Sequence, residues 1–294
     1  MPNYIKPHFV ILINNDERMQ FEATLLVSSL ETLGGIKEYY CTIVVPEGFK
    51  SSSEFKKFIE KRGEIKTYKE AVGSKPYLYS PRWEVEPKSE IFVPIDSDII
   101  VLKNIEQLFL APSEKIKGVI GLESPFLNGL NKTVWEHIFK LFKIETEEKR
   151  WTKYRVFDKK SIHYLKLFDK ESLVDESTSC PFYFNHGLLI TSKSIAKKIN
   201  SIKNDITNDL IKMGFEKSYW LNQIVTTICI EKEKIDCEEI DDKFNSIKKL
   251  TEDTHLYHYC SSINKFESIK DIKKDNVAIE KQLDIIYENI LCGT

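Results

Sequence analysis

The N-terminal part of the chain alternates between strand and helix patterns. A continuous β-branched and aromatic run at residues 8–13 passes into the polar segment 14–16, which is typical of a buried strand followed by a loop. The next apolar residues recur at helical spacing as far as Gly34; they are Met19, Ala23, Leu26, Leu30 and Leu33. A second strand pattern at residues 41–45 precedes a second helical pattern. This order predicts a parallel α/β sheet flanked by helices.

Composition narrows the class of protein. The 294 residues suffice for one large domain or two small ones, with a core that needs no disulfide bonds. The 43 basic and 45 acidic residues nearly cancel, which disfavours a nucleic-acid-binding protein that depends on a basic surface. No apolar run approaches the roughly 18 residues of a membrane span. We therefore expect no transmembrane segment and no nucleic-acid partner, while peripheral contact with a membrane stays open.

Cysteine usage bears on the cellular compartment. The six cysteines show no C-x-x-C spacing, and the N-terminus lacks the apolar stretch of a signal peptide. We therefore expect free thiols rather than a zinc site or a disulfide framework, and a cytoplasmic location. The oligomeric state is not predicted by any pattern in the chain.

Two carboxylates interrupt an otherwise apolar stretch. Asp96 and Asp98 lie between the apolar runs 91–95 and 99–102, where an uncompensated carboxylate is costly and a divalent cation would remove the cost. Because alternate residues of a strand point to opposite faces, both side chains reach one ion only if the chain turns at Ser97. Mg²⁺ and Mn²⁺ accept oxygen ligands and keep positions open for phosphate oxygens, so the pair is typical of a metal–diphosphate site.

Two other interpretations of this pair stay open. An Asp-x-Asp sequence also occurs by chance in charged surface loops, although such loops rarely have apolar flanks on both sides. The motif further resembles that of haloacid-dehalogenase-like phosphatases, in which a nucleophilic aspartate and an acid/base aspartate follow an apolar strand. That strand is normally the first of its fold, whereas two strand–helix units precede Asp96.

Three more motifs follow the Asp-x-Asp pair along the chain. They are Tyr-Phe-Asn-His-Gly-Leu-Leu-Ile at 183–190, Leu-Asn-Gln-Ile at 221–224 and His-Tyr-Cys at 258–260. In this order the four motifs resemble those of the retaining glycosyltransferases of family 8, which include glycogenin and bacterial lipooligosaccharide galactosyltransferases. The resemblance implies a GT-A fold, a single mixed and mostly parallel sheet flanked by helices with a Rossmann-like N-terminal half.

The resemblance also implies how the chain is divided. A GT-A domain would cover residues 1–266, with a nucleotide-sugar-binding half at 1–122 and an acceptor half at 123–266. A C-terminal helix would follow at 267–294, where apolar residues recur at helical spacing. In the acceptor half, Trp135 fits either an acceptor-stacking residue or the core face of a helix.

A metal-dependent donor site is implied by the same resemblance. Asp96, Asp98 and His258 match the family's ligands for Mn²⁺ or Mg²⁺, and His255 is the less favoured third ligand because it would face the other way on a strand. The metal would bridge the two phosphates of a UDP-sugar. The residues implied to bind the donor are Asn14, Asp16, Arg82, Ser97, Gly187 and Lys265. The residues implied to act at the reacting sugar are Asn185, Asn222 and Gln223.

The chain departs from the family pattern in places. Asn222 replaces an aspartate, His186 replaces a small residue beside Asn185, and the late motif lacks its Pro-Trp. A non-catalytic sugar-nucleotide-binding protein is therefore the alternative function. The main prediction is a hexosyltransferase that moves glucose or galactose from a UDP-sugar, with retention of configuration, to a hydroxyl of a saccharide, a lipid-linked sugar or a protein.

Overall fold

The computed structural model describes most of the chain. The described residues are 5–69, 80–121, 125–126, 131–145, 147, 150–154, 179–215, 218, 220–247, 250–259 and 284–286. Lys265 lies outside them, as does the predicted C-terminal helix 267–294 apart from residues 284–286, which are helical. The division of the chain at residues 122 and 266 stays a prediction.

Twelve strands and, besides the helical residues 284–286, five α-helices are present among the described residues. The strands are β1 (Pro7–Leu12), β2 (Tyr40–Pro46), β3 (Glu64–Tyr68), β4 (Ile91–Asp96), β5 (Ile99–Val101), β6 (Lys115–Ile120), β7 (Trp151–Lys153), β8 (Ser179–Pro181), β9 (Phe184–Ser192), β10 (Asp236–Glu239), β11 (Ser246–Ile247) and β12 (Leu256–His258). The helices are α1 (Glu17–Thr32), α2 (Ser53–Glu60), α3 (Asn131–Leu141), α4 (Lys193–Lys212) and α5 (Leu221–Lys232).

A seven-stranded mixed sheet forms the centre of the described structure. Its spatial order is β10-β6-β9-β4-β1-β2-β3, and only β9 runs antiparallel to its neighbours β6 and β4. The predicted mixed, mostly parallel sheet is therefore confirmed. Two smaller sheets, β11-β12-β5 and β7-β8, accompany it. Because β9 is inserted between β4 and β6, the two predicted halves of the chain share one sheet.

Local sequence signals explain where the first helices begin and end. Asp16 caps α1 by accepting a hydrogen bond from the Arg18 N–H, and Ser52 caps α2 by accepting one from the Phe55 N–H. After α1 the Gly34 N–H bonds the Ser29 carbonyl, and Gly35 takes φ of 70°, a conformation that favours glycine. The Gly34 stop signal predicted from sequence thus coincides with the end of the helix.

Both faces of the sheet are covered by apolar side chains. Alternate residues of β1 point to opposite sides, where Phe9 and Ile11 join the helices α1 and α2 and Val10 joins the helices α3 to α5. All three side chains are fully buried. This two-sided burial explains the unbroken apolar runs of β1, β2 and β4 in the sequence.

Trp135 belongs to the core. Its side chain on α3 is fully buried, its indole N–H donates to the Tyr154 hydroxyl at 2.8 Å, and its ring packs against Phe139 and Tyr183. The interpretation of Trp135 as a helix core residue is therefore confirmed, and an acceptor-stacking role is wrong for it.

Four cysteines lie in the described part of the chain. Cys41, Cys180, Cys229 and Cys237 are free thiols, and burial raises the pKa of Cys41 to about 12, which keeps that thiol protonated and inert. Within the described ranges, no helix has both the length and the apolar character that crossing a membrane requires.

A buried histidine makes the stability of this fold depend on pH. His8 on β1 accepts a hydrogen bond from the Lys88 N–H at Nδ1 and pairs with the Thr42 hydroxyl at Nε2. Burial, with a smaller contribution from Lys88, lowers its pKa from 6.5 to about 4. The unfolded chain therefore binds more protons than the folded chain between these values, so stability is complete above pH 6.5 and falls as the pH drops towards 4.

We expect this single group to account for a loss on the order of 3 kcal/mol across that window. Urea unfolding of the wild type between pH 7 and pH 4.5 should show a steeper loss of stability than that of His8→Gln. The matched control is His137→Gln, because His137 is an exposed residue of α3 and its variant should keep the wild-type slope. Parallel pH profiles for the wild type and His8→Gln would contradict the assignment.

Candidate metal and donor site

The turn between β4 and β5 carries the two carboxylates. Asp96 is the last residue of β4, the chain turns at Ser97 and Asp98, and β5 begins at Ile99. A turn at Ser97 is required for both carboxylates to reach one ion, as expected from the sequence, and the structure has this turn. It lies at the carboxyl edge of the parallel strands, where ligands bind in open α/β sheets.

Strand pairing brings His258 to this turn. β12 pairs antiparallel with β5 so that His258 lies opposite Ile99, and the Tyr259 N–H donates to the Asp98 carbonyl at 3.2 Å. The Nε2 atom of His258 is 3.2 Å from Asp98 Oδ1 and 3.8 Å from Asp96 Oδ2. One potential ligand atom from each of the three residues lies within 4.8 Å of the others.

The chemistry of these three side chains fits a divalent cation. Two carboxylates and an imidazole nitrogen supply hard oxygen ligands and one nitrogen, a set that Mn²⁺ and related ions accept. Asp98 and His258 are buried, whereas the Asp96 side chain is 34 % exposed, which leaves one side of the cluster open to a ligand. His255 is not part of the cluster: its Nδ1–H donates to the Asn104 carbonyl at 2.8 Å and its ring packs on Phe244.

Arg82 neutralises part of the negative charge. Its guanidinium is buried and donates to Asp96 Oδ1 at 2.6 Å, so Asp96 uses one oxygen for Arg82 and turns the other towards His258. The neighbouring Glu84 pairs with Lys203 of α4 at 2.7 Å, and Trp83 lies in the core. These contacts fix the segment that carries Arg82.

A chain of hydrogen bonds holds the other side of the His258 ring. The Nδ1 atom of His258 is 3.0 Å from Asn245 Oδ1, Asn245 Nδ2 donates to Asn185 Oδ1 at 2.8 Å, and the Gly187 N–H donates to the same Asn185 oxygen at 2.8 Å. Asn245 is fully buried and was missed from the sequence, because nothing in its spacing relates it to the other motifs.

Gly187 has a packing reason to be glycine. A Cβ atom at this position would lie 2.4 Å from His258 Nδ1 and 2.7 Å from Asn245 Oδ1, well inside contact distance. The predicted approach of the Gly187 backbone to a donor sugar is not tested by this contact. Gly187 has no side chain because a Cβ atom there would collide with the ring of His258, the candidate metal ligand.

The predicted nucleotide residues lie at the same edge of the sheet. Leu12 pairs with Asp96, and the loop after Leu12 lines a cavity of about 590 Å³ together with Pro46. The loop residues that line this cavity are Asn14, Asn15, Asp16 and Glu17. Asp16 also caps α1 and forms an ion pair with Arg18, so its carboxylate has a structural role as well.

Ser97 faces α1. Its side chain is buried and donates to Glu22 Oε2 at 3.3 Å, and Glu22 in turn approaches Arg18 at 3.6 Å. Glu22 is 2 % exposed and was not singled out in the sequence, because it falls in the first turns of a helix among ordinary charged residues.

The residues predicted to act at the sugar lie on β9 and at the start of α5, which packs against β9. Asn185 and Gln223 are buried, and Asn222 is half-buried. Beside Asn185, His186 is also buried, and no described residue gives either of its ring nitrogens a hydrogen bond. Burial and the nearby Arg82 guanidinium hold the pKa of His186 well below its usual range, so the ring is neutral.

Three solved glycosyltransferase structures are similar to the chain. The galactosyltransferase LgtC, in complex with donor and acceptor sugar analogues, matches with 12 % identity and a TM-score of 0.52 over 96 % of this chain and 95 % of that one. Mouse xyloside xylosyltransferase 1 in its apo form matches with 13 % identity and a TM-score of 0.51 over 88 % and 99 %. The glycosyltransferase GlyE of Streptococcus pneumoniae TIGR4 matches with 14 % identity and a TM-score of 0.50 over 97 % of this chain and 63 % of that one.

The chain has the GT-A fold. No protein-family model matches the sequence, and no curated protein matches it significantly. At identities of 12 to 14 %, the fold is what the chain shares with these structures. The resemblance to family 8 that the motifs carry is consistent with LgtC. Activity has to be argued from the site.

The contact at Gly187 gives a prediction. Gly187→Ala should push the His258 ring away from the carboxylates and lower the affinity for Mn²⁺ by about 10-fold or more, as displaced second-sphere contacts do. Isothermal titration calorimetry with MnCl₂ measures this. The control is Gly48→Ala, whose added Cβ meets nothing within 4 Å; because Gly48 has φ of 77°, this variant strains the backbone away from the cluster and should still leave Mn²⁺ binding unchanged. Unaltered Mn²⁺ affinity in Gly187→Ala would remove the steric argument.

Proposed function

We propose that this protein is a metal-dependent glycosyltransferase. The donor is a UDP-hexose, with glucose or galactose as the sugar, and the acceptor is a hydroxyl group of a saccharide, a lipid-linked sugar or a protein. The observation that carries the proposal is the cluster of Asp96, Asp98 and His258 at the carboxyl edge of a GT-A sheet. Retention of configuration is proposed from the resemblance to family 8.

The three residues of the cluster would hold Mn²⁺ or Mg²⁺ on the open side of Asp96. When bound, the ion acts as a Lewis acid that neutralises the charge developing on the departing diphosphate. Arg82 would direct the Asp96 carboxylate, because its guanidinium donates to Oδ1 and leaves Oδ2 for the cluster. Asn14 and Asp16 would contact the nucleoside in the cavity that they line. Ser97, Gly187 and Lys265 remain predicted donor contacts.

The sugar would lie against β9 and α5. Asn185 Oδ1 already accepts two hydrogen bonds, so the Nδ2 group is the part of this side chain that can donate to a sugar hydroxyl. The Gln223 amide oxygen would stabilise positive charge at the anomeric carbon, and Asn222 would contact the sugar hydroxyls. Residues 123–266 would supply the acceptor site. The cytoplasmic location is proposed from the sequence alone.

A direct assay tests the activity. The purified protein is incubated with UDP-glucose or UDP-galactose and Mn²⁺, and UDP release is followed with and without EDTA. We expect metal-dependent UDP release that disappears in Asp98→Ala. Metal-dependent binding of UDP-sugars without any turnover would favour the non-catalytic alternative, which the replacement at Asn222 motivates. Hydrolysis of a generic phosphate ester, lost in Asp96→Asn, would favour the phosphatase, whose motif normally follows the first strand rather than β4.

The two histidines near the turn provide a matched pair. His258→Ala removes a nitrogen that lies 3.2 Å from Asp98, so Mn²⁺ affinity should fall by more than about 10-fold in calorimetry. His255→Ala removes a half-buried side chain bonded to the Asn104 carbonyl, and the Mn²⁺ affinity should stay within about 2-fold of the wild type. The opposite order of the two losses would reassign the ligand.

Asn222 tests the sugar contact. Asn222→Asp introduces the carboxylate found in the family pattern at the first turn of α5, where a negative charge is also favourable for the helix. We expect a change in the rate of UDP release or in the ratio between UDP-glucose and UDP-galactose. Asn208→Asp on α4 is the control substitution of the same type. Identical donor kinetics in Asn222→Asp and the wild type would show that the position does not contact the sugar.

A further inference from the structure

A backbone amide determines which atoms face each other around His258. The amide nitrogen of Gly187 can only donate a hydrogen bond, and it lies 2.8 Å from the side chain of Asn185. The atom of Asn185 that receives this bond must therefore be the carbonyl oxygen Oδ1. This orientation of Asn185 follows from the backbone and does not depend on telling oxygen from nitrogen in the side chain.

The same reasoning extends to Asn245. Its side chain lies 2.8 Å from Asn185 Oδ1. Because that oxygen can only accept a hydrogen bond, the Asn245 atom that faces it must be a donor. The Asn245 atom at this contact is therefore Nδ2. Its other end, Oδ1, then faces His258 Nδ1 at 3.0 Å, and this oxygen can only accept. The proton of a neutral His258 ring must consequently be on Nδ1.

This arrangement leaves the Nε2 lone pair of His258 directed at Asp98 and Asp96, at 3.2 and 3.8 Å. A lone pair that faces carboxylate oxygens is unfavourable alone, and a cation between them removes the conflict. We propose that Asn245 is a positioning residue that fixes the Nδ1-protonated tautomer and the ring orientation of His258 for metal binding. The inference rests on the metal site of the proposed function and adds a residue to it.

The surroundings of Asn245 support this role. The residue is fully buried, and His258 and Asn185 are 3 % and 9 % exposed, so water competes little for these hydrogen bonds. Asn245 follows a short 3₁₀ helix, its N–H bonds the Asp242 carbonyl, and it directly precedes β11. β11 pairs in parallel with β12 and places Ile247 opposite His258. The backbone thus holds Asn245 in place independently of its side chain.

The tautomer of His258 is the first test. The metal-free wild-type protein is labelled with ¹⁵N-histidine, and long-range ¹H–¹⁵N spectra are recorded at a pH at which the imidazole rings are neutral. The six histidines are few enough to assign His258 by comparison with His258→Gln. We expect a single Nδ1-protonated form for His258. A ring protonated on Nε2 would overturn the proposal.

This measurement is separate from the proposed function. It needs neither metal binding nor UDP release, so a protein that shows no Mn²⁺ affinity would refute the metal site while the tautomer still tests the hydrogen-bond chain. It also needs no variant at Asn245, so it stands even if substitutions at that buried position prevent folding.

The second test removes the asparagine. Asn245→Leu keeps a similar volume and loses both hydrogen bonds, so the Nε2-protonated tautomer of His258 should appear and the Mn²⁺ affinity should fall by about 10- to 100-fold. Asn104→Leu is the control substitution of the same type: it removes an exposed side chain that accepts from the Glu106 N–H away from the cluster, so this variant should bind Mn²⁺ like the wild type. Wild-type Mn²⁺ affinity in Asn245→Leu, or a pure Nδ1-protonated ring in that variant, would overturn the proposal.

Discussion

The position of two carboxylates beside the core constrains the architecture of this edge of the sheet. Asp96 and Asp98 lie between two strands whose other residues are fully buried or nearly so. Charges in such a place persist only with compensating partners. Arg82 supplies one positive charge to Asp96, and His258 presents a ring nitrogen to both carboxylates. Each partner is held by contacts of its own, so the surrounding elements are constrained as well.

These constraints converge on β9, the strand that reverses direction within the sheet. Asn185 and Gly187 form one end of the hydrogen-bond chain to His258, and the carbonyl of His186 lies 3.5 Å from the Arg82 guanidinium. Residues 185–187 are thus connected to both partners of Asp96: Asn185 and Gly187 to His258 through Asn245, and His186 to Arg82. Since β9 also pairs with β4 through Ile95 and Leu188, the strand carrying Asp96 and the groups that orient its partners form one rigid unit.

Much of this could be predicted from the sequence because it depends on local patterns. Apolar runs and helical spacing give β1, α1, β2, α2 and β4, and the apolar flanks of the Asp-x-Asp pair identify the turn at Ser97. Other features depend on tertiary contacts with no local signature. Asn245 meets Asn185 across 60 residues, and Glu22 meets Ser97 across 75. Neither partner could be identified from spacing, because these segments come together only in the folded protein.

His186 illustrates how a departure from a family pattern can be accommodated. An imidazole in place of a small side chain adds two polar nitrogens to a buried position, where an unpaired polar group is normally costly. Burial, and to a smaller extent the nearby Arg82 guanidinium, favours the neutral ring, which avoids a second positive charge beside that guanidinium. The neutral ring leaves the Arg82 guanidinium paired with Asp96 Oδ1 at 2.6 Å. A protonated His186 would place a second buried cation near Arg82, so the low pKa of this ring is compatible with the buried Arg82–Asp96 pair at the candidate metal cluster.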